Sequence, residues 1–106
     1  MTLEDMKQLQ TLQTATIAED MKDEETFFYV VNCLNRFYSG DYGEVPPEDT
    51  EANNQDLNEG YGHVLARYKA CGKLKGDFYI EAHFDKDAPT EDVNYNNVFI
   101  CYPEER

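Results

Sequence analysis

The spacing of apolar residues changes once along this chain, from every three to four positions before Gly60 to every second position after Gly62. A repeat of three to four marks one side of a helix and a repeat of two marks a half-buried strand, so helices are predicted first and strands afterwards. Residues 24 to 38 carry the clearest helical stripe, formed by Phe27, Val30, Val31, Leu34, Phe37 and Tyr38. Asp23 can cap its start, Glu24 and Glu25 suit the positive end of its dipole, and Gly40 supplies a left-handed stop. A polar helix is predicted over 47 to 58, with Ala52 and Leu57 as its main apolar residues and Gly60 just past its end.

Beyond Gly62, Val64, Ala66 and Tyr68 alternate with His63, Leu65, Arg67 and Lys69. Phe78, Ile80, Ala82 and Phe84 alternate in the same way with Tyr79, Glu81, His83 and Asp85. These are two strands joined by a hairpin-length loop over 71 to 76, and a third is predicted over 98 to 102. The fold class that follows is α+β, with N-terminal helices packed on a three-stranded antiparallel β-meander that needs their cover to be stable. Thr2 with Asp5, and Thr16 with Glu19, fit the hydroxyl and carboxylate pairing of a helix start, which predicts two short helices ahead of residue 24. Leu3, Met6, Leu9 and Leu12 recur every three residues and so drift around a helix. Residues 1 to 15 therefore read as a loosely attached helix whose apolar side suits a partner or a second copy. The 106 residues make a single domain, too small for a deep cleft between domains.

Charge narrows the function classes. Twenty-two acidic residues against nine basic ones leave a formal net charge of -13, a field that repels nucleic acid and anionic membrane and attracts basic protein surfaces. The positive charge is concentrated in Arg67, Lys69, Lys73 and Lys75, within one hairpin. No apolar run approaches the roughly 18 residues that span a bilayer. Glu4 and Asp5 stand where a secretory leader needs positive charge, and the three cysteines form no CxxC pair. A cytoplasmic protein with reduced thiols is the reading.

Residues able to do chemistry are sparse. His63 and His83 alternate onto the strand face away from the core, near Glu81 and Asp85, yet their spacing matches no ligand pattern and fits ordinary cross-strand pairing. Cys71 alone has a lysine-rich setting that would favour a thiolate, and nothing in sequence pairs it with a base. No phosphate-cradling glycine loop, GxSxG or HExxH occurs. The expectation is a non-enzyme without cofactor or metal.

The segment Ser39-Gly40-Asp41-Tyr42-Gly43-Glu44, then Glu48-Asp49, Asn53, Leu65-Ala66-Arg67-Tyr68, Phe78 to Ala82 and Phe99 to Glu105, resembles a group of small proteins carried by phages, plasmids and integrative elements. That group has an SGDWG-like pattern, an acidic pair, an Asn, a strand with an acid after it and a last strand closed by Pro and acids. Tyr42 stands where the group usually has Trp, and the stretch from Asp87 to Asn96 departs from its pattern. The resemblance implies a mobile-element setting, in which small acidic proteins often act as anti-CRISPR or anti-restriction inhibitors that mimic DNA charge.

The expected function is therefore an acidic inhibitor that occupies the basic surface of a host nucleic-acid enzyme, with a CRISPR effector nuclease as the expected target class. Its expected partner-binding residues are Asp41, Tyr42, Glu44, Glu48, Asp49, Glu51, Asp56, Asp85, Asp87, Glu91 and Asp92. The alternative is a non-catalytic interaction module, dimeric in one version, that uses Tyr42 and its glycine-rich turn as an aromatic contact.

Overall fold

A computed structural model describes residues 1–89, 92 and 95–106. Among the described residues the elements run α1 (Leu3–Met6), β1 (Gln10–Gln13), α2 (Ala15–Asp20), α3 (Glu24–Tyr38), α4 (Pro47–Glu59), β2 (Tyr61–Tyr68), β3 (Phe78–Asp85), β4 (Asn97–Cys101) and a 3-10 turn at Pro103–Glu105. The α+β class holds, and α3 and α4 fall where the helical spacing and caps put them. Asp23 accepts the Thr26 N–H at 3.1 Å at the start of α3. Gly60 ends α4 with φ +75°.

The sheet corrects one expectation. It has four strands in the order β1-β4-β3-β2, so it is mixed rather than a three-stranded meander. β2, β3 and β4 do run antiparallel in succession, but β1 adds a parallel edge beside β4, with Gln10 opposite Asn97 and Leu12 opposite Phe99. Residues 1 to 15 are accordingly not one loose helix. Thr2 forms the expected capping box with Asp5, while the chain then extends into β1 and Met6 is fully buried. The cap of α2 is Thr14 rather than Thr16, because β1 ends at Gln13 and leaves Thr14 extended at φ -69°, ψ 154°. Its hydroxyl accepts the Ile17 N–H and donates to Glu105 at 2.8 Å.

The core lies between the helices and one sheet face: Ile17, Val30, Phe37, Val64, Ala66, Phe78, Ile80 and Val98 are essentially inaccessible. On α3 the buried positions are Thr26, Val30, Cys33 and Phe37, so the packed stripe is turned from the expected one and Phe27 is 44% exposed. The reason is the 71 to 76 loop, which presses on Thr26. The Lys73 N–H donates to the Thr26 hydroxyl at 2.8 Å, and that hydroxyl donates to Asp23. On α4 the inward residues are Asn53 and Leu57; Ala52 faces solvent. Among the described residues, no helix is long and apolar enough to cross a membrane.

Candidate functional site

α4 lies along the outer edge of β2 and closes it. A sheet edge left open is a template for unwanted pairing. Here the Leu65 N–H donates to Asn53 Oδ1 at 3.0 Å and Asn53 Nδ2 donates to the Leu65 carbonyl at 2.8 Å, so one carboxamide imitates a neighbouring strand. One step along, the His63 N–H donates to Asp56 Oδ2 at 3.1 Å. At the far end the turn after α3 takes over: the Arg67 N–H donates to the Tyr42 carbonyl at 3.1 Å and the Glu44 N–H to the Arg67 carbonyl at 2.7 Å. Glycine is required at two of these approaches. A Cβ on Gly43 would lie 2.0 Å from the Arg67 carbonyl oxygen, and one on Gly62 would lie 2.4 Å from Asp56 Oδ2, both at positive φ.

The SGDYG segment is thus built into the fold. Asp41 receives Arg36 Nε at 2.7 Å and the Gly43 N–H at 3.1 Å, and these bonds hold its carboxyl below the usual range. Its carbonyl accepts the Tyr68 hydroxyl at 2.7 Å. The Tyr42 ring is only 4% exposed and packs edge-on against Phe37. The expectation of an exposed aromatic contact at Tyr42 is therefore corrected: Gly43 lets the chain turn against β2, which swings the ring inward. Burial raises its hydroxyl pKa, and among the described residues that hydroxyl has no hydrogen-bond partner.

The remaining acids are differently placed. α4 carries Glu48, Asp49, Glu51, Asp56 and Glu59 and no basic residue. Glu48 and Asp49 occupy its first turn, where the helix dipole favours them. Among the described residues none of these five carboxylates is in an ion pair, nor is Glu44. The Lys86 N–H donates to the Gly60 carbonyl at 2.8 Å, which brings Asp85 and Asp87 beside the C-terminal end of α4. The Asp87 N–H donates to Asp85 at 2.9 Å. The Asp92 carbonyl accepts the Tyr95 and Asn96 N–H groups. Glu91 lies outside the described residues. The structure therefore groups Asp56 with Asp85 and Asp87 at one end of β2 and leaves Asp41 and Glu44 at the other.

Beside Asp56 and Glu59 opens a cleft of about 540 Å³, lined also by Tyr61, Gly62, His63, His83, Phe84 and Tyr95. Tyr61 and Tyr95 are 64% and 53% exposed. No Lys or Arg lines the cleft among the described residues. No family model matches this chain, and no curated protein or solved structure matches it either. The cleft must be judged on its own chemistry.

His63 and His83 do meet, stacked with ring centres 6.0 Å apart. His83 Nε2 lies 2.9 Å from Glu81 Oε1, and Arg106 Nε donates to Glu81 Oε2 at 2.6 Å. Burial alone would raise the Glu81 pKa, but the bonds from His83 and Arg106 overcome it and hold the carboxyl at about 2. Glu81 is therefore a fixed anion that anchors Arg106 over Tyr79. Among the described residues no group of three or more His, Cys, Asp or Glu is placed to hold a metal ion. Cys33 and Cys101 are buried, and burial raises both thiol pKa values, Cys101 to about 11. Cys71 is exposed.

Sequence reasoning missed Asn53 as an edge cap and Tyr61 and Tyr95 as exposed aromatics of the cleft. Parity could have found Tyr61, which shares the non-core side of β2 with His63 and Leu65. Nothing local marks Tyr95, whose N–H is held by the Asp92 carbonyl.

Proposed function

We propose that this chain is a non-catalytic acidic binding protein that docks on the basic surface of a nucleic-acid-handling protein and competes with nucleic acid for it. The observation that supports this reading is the run of unpaired carboxylates along α4. Among the described residues the carboxylates of α4 are in no ion pair, whereas Arg67 is bound to Asp77 and Lys75 to Asp20. A thirteen-residue helix is about 20 Å long, a span over which one DNA strand presents about six phosphates. The resemblance to mobile-element proteins favours a host nuclease, a CRISPR effector among them, as the target class.

The test is capture of candidate nucleases at low ionic strength by the purified chain and by a variant carrying Glu48→Gln, Asp49→Asn, Glu51→Gln and Glu59→Gln. Among the described residues all four are unpaired with cations, and Asp56 is spared because it holds β2. The expected result is a salt-sensitive complex, with inhibition of the nuclease, that the variant loses. Binding that survives in the variant would overturn charge mimicry.

A second reading rests on the exposed pair Tyr61 and Tyr95. As an interaction module the chain would use these rings, in place of Tyr42, against an apolar or cationic anchor of its partner. Tyr61→Ala and Tyr95→Ala would then abolish a complex that resists salt.

A further inference from the structure

The two edges of the sheet are treated in opposite ways. The β2 edge is closed at His63, Leu65 and Arg67 by Asp56, Asn53 and the backbone of Tyr42 and Glu44. The β1 edge has no such cover. The Thr14 N–H donates to the Ile100 carbonyl, so by backbone alternation Leu12 and Gln10 also point their polar groups at β4. The N–H and C=O of Thr11 and Gln13 then point outward, and no protein group reaches them among the described residues. Gln10, Thr11 and Gln13 are exposed. Apart from its shortness β1 carries none of the usual protections: it reads Gln-Thr-Leu-Gln, with no Lys, no Pro and no charge directed at the edge.

We propose that β1 is the interface at which a second copy of this chain pairs, antiparallel and about a two-fold axis at Leu12, to make one sheet continuous across both copies. In that register Thr11 faces Gln13 of the second copy, and each pair exchanges both backbone hydrogen bonds, so every outward group of the edge is satisfied. Leu12 meets its own counterpart as the closer, non-hydrogen-bonded pair, about 4.5 Å between Cα atoms. Leu12 is half-buried on the face it shares with Phe99, so pairing extends that apolar strip across the axis.

Charge selects a second copy at this edge. Two molecules of net charge -13 repel wherever their acidic surfaces face, and residues 8 to 18 carry no charge at all. The β1 edge therefore lets two copies approach with no like charges on the pairing strand. A foreign basic partner gains nothing from an uncharged edge and is drawn instead to α4.

The experiment is sedimentation equilibrium of the full chain over a wide range of concentration and salt. A monomer–dimer equilibrium is expected that tightens as salt rises, since salt screens the repulsion and leaves the backbone bonds unaffected. Thr11→Pro removes an outward N–H without touching the bonds to β4, and Thr11→Lys places like charges across the axis. Both are expected to remain monomeric with unchanged circular dichroism. A wild-type chain that stays monomeric throughout, or a dimer that survives both substitutions, overturns the proposal. A dimer that weakens with salt also overturns it, because it would point to the acidic face. The nuclease-binding reading stands or falls separately, since its complex is expected to weaken with salt.

Discussion

At the scale of single residues, Glu81 contributes to the acid limit of the fold. Its carboxyl is 4% exposed and is held at about 2, against an ordinary 4.5, by His83 and Arg106. A carboxyl depressed in the folded state contributes stability that is present above about pH 4.5 and is lost as pH falls towards 2. A shift of that size corresponds to at most about 3 kcal/mol, and solvent around the partly exposed Arg106 and His83 reduces it to on the order of 2. Glu81→Gln should therefore cost about 2 kcal/mol at neutral pH and flatten the loss of stability below pH 4.5. Urea unfolding at several pH values measures both. An acid limb as steep in the variant as in the parent would place the acid sensitivity elsewhere.

At the scale of elements, the junction of α4 and β2 organises the acidic face, and Asn53 is its central bond. Asn53→Ala leaves the Leu65 N–H and C=O facing a methyl group in a part-buried place, an expected loss of about 2 kcal/mol seen as a lower midpoint in thermal melting. Asn53→Asp should fare little better, because a carboxylate cannot donate to the Leu65 carbonyl. Melting temperatures unchanged in both would show that water replaces the carboxamide. The existence of α4 was legible in Pro47 and Gly60, and that of α3 in Asp23 and its stripe, because caps and periodicity are local signals. The inward role of Asn53 was not legible, since a polar residue on a polar helix looks solvated until a strand edge lies beside it. β1 escaped for a related reason. Its pairing with β4 spans most of the chain, from Gln10 to Asn97, and Leu9 and Leu12 imitate a helical spacing. Of the expected site, Glu48 and Glu51 are exposed on α4 while Asp49 and Asp56 are half-buried, and Tyr42 moved inside because a glycine turn can present a ring to either side.

At the scale of the whole molecule, a net charge of -13 is confined to a body of 37 × 31 × 24 Å, comparable in width with the Debye length of about 30 Å at 0.01 M salt. Carboxylates on opposite sides therefore still repel one another at low ionic strength, and the folded state is strained by its own field. Salt should raise the melting temperature, because most close ion pairs, such as Lys22 with Glu19, are exposed and contribute little that screening can remove. Glu51 and Glu59 separate solubility from binding. Both are exposed, lie beyond the first turn of α4 where the dipole would reward them, and have no cationic partner among the described residues. Replacing both with Gln removes repulsion at the cost of the weak bond between Gln55 and Glu59, so the variant should melt at the same or a higher temperature and respond less to salt. If the acidic face serves a basic partner, the same variant should bind that partner several-fold more weakly, a gain in stability coupled to a loss of binding. Melting curves and titrations run on one preparation across a salt series measure the coupling. A variant that is steadier and binds as well as the parent would mean that these carboxylates keep the chain soluble and that its contacts are made by the tyrosines of the cleft.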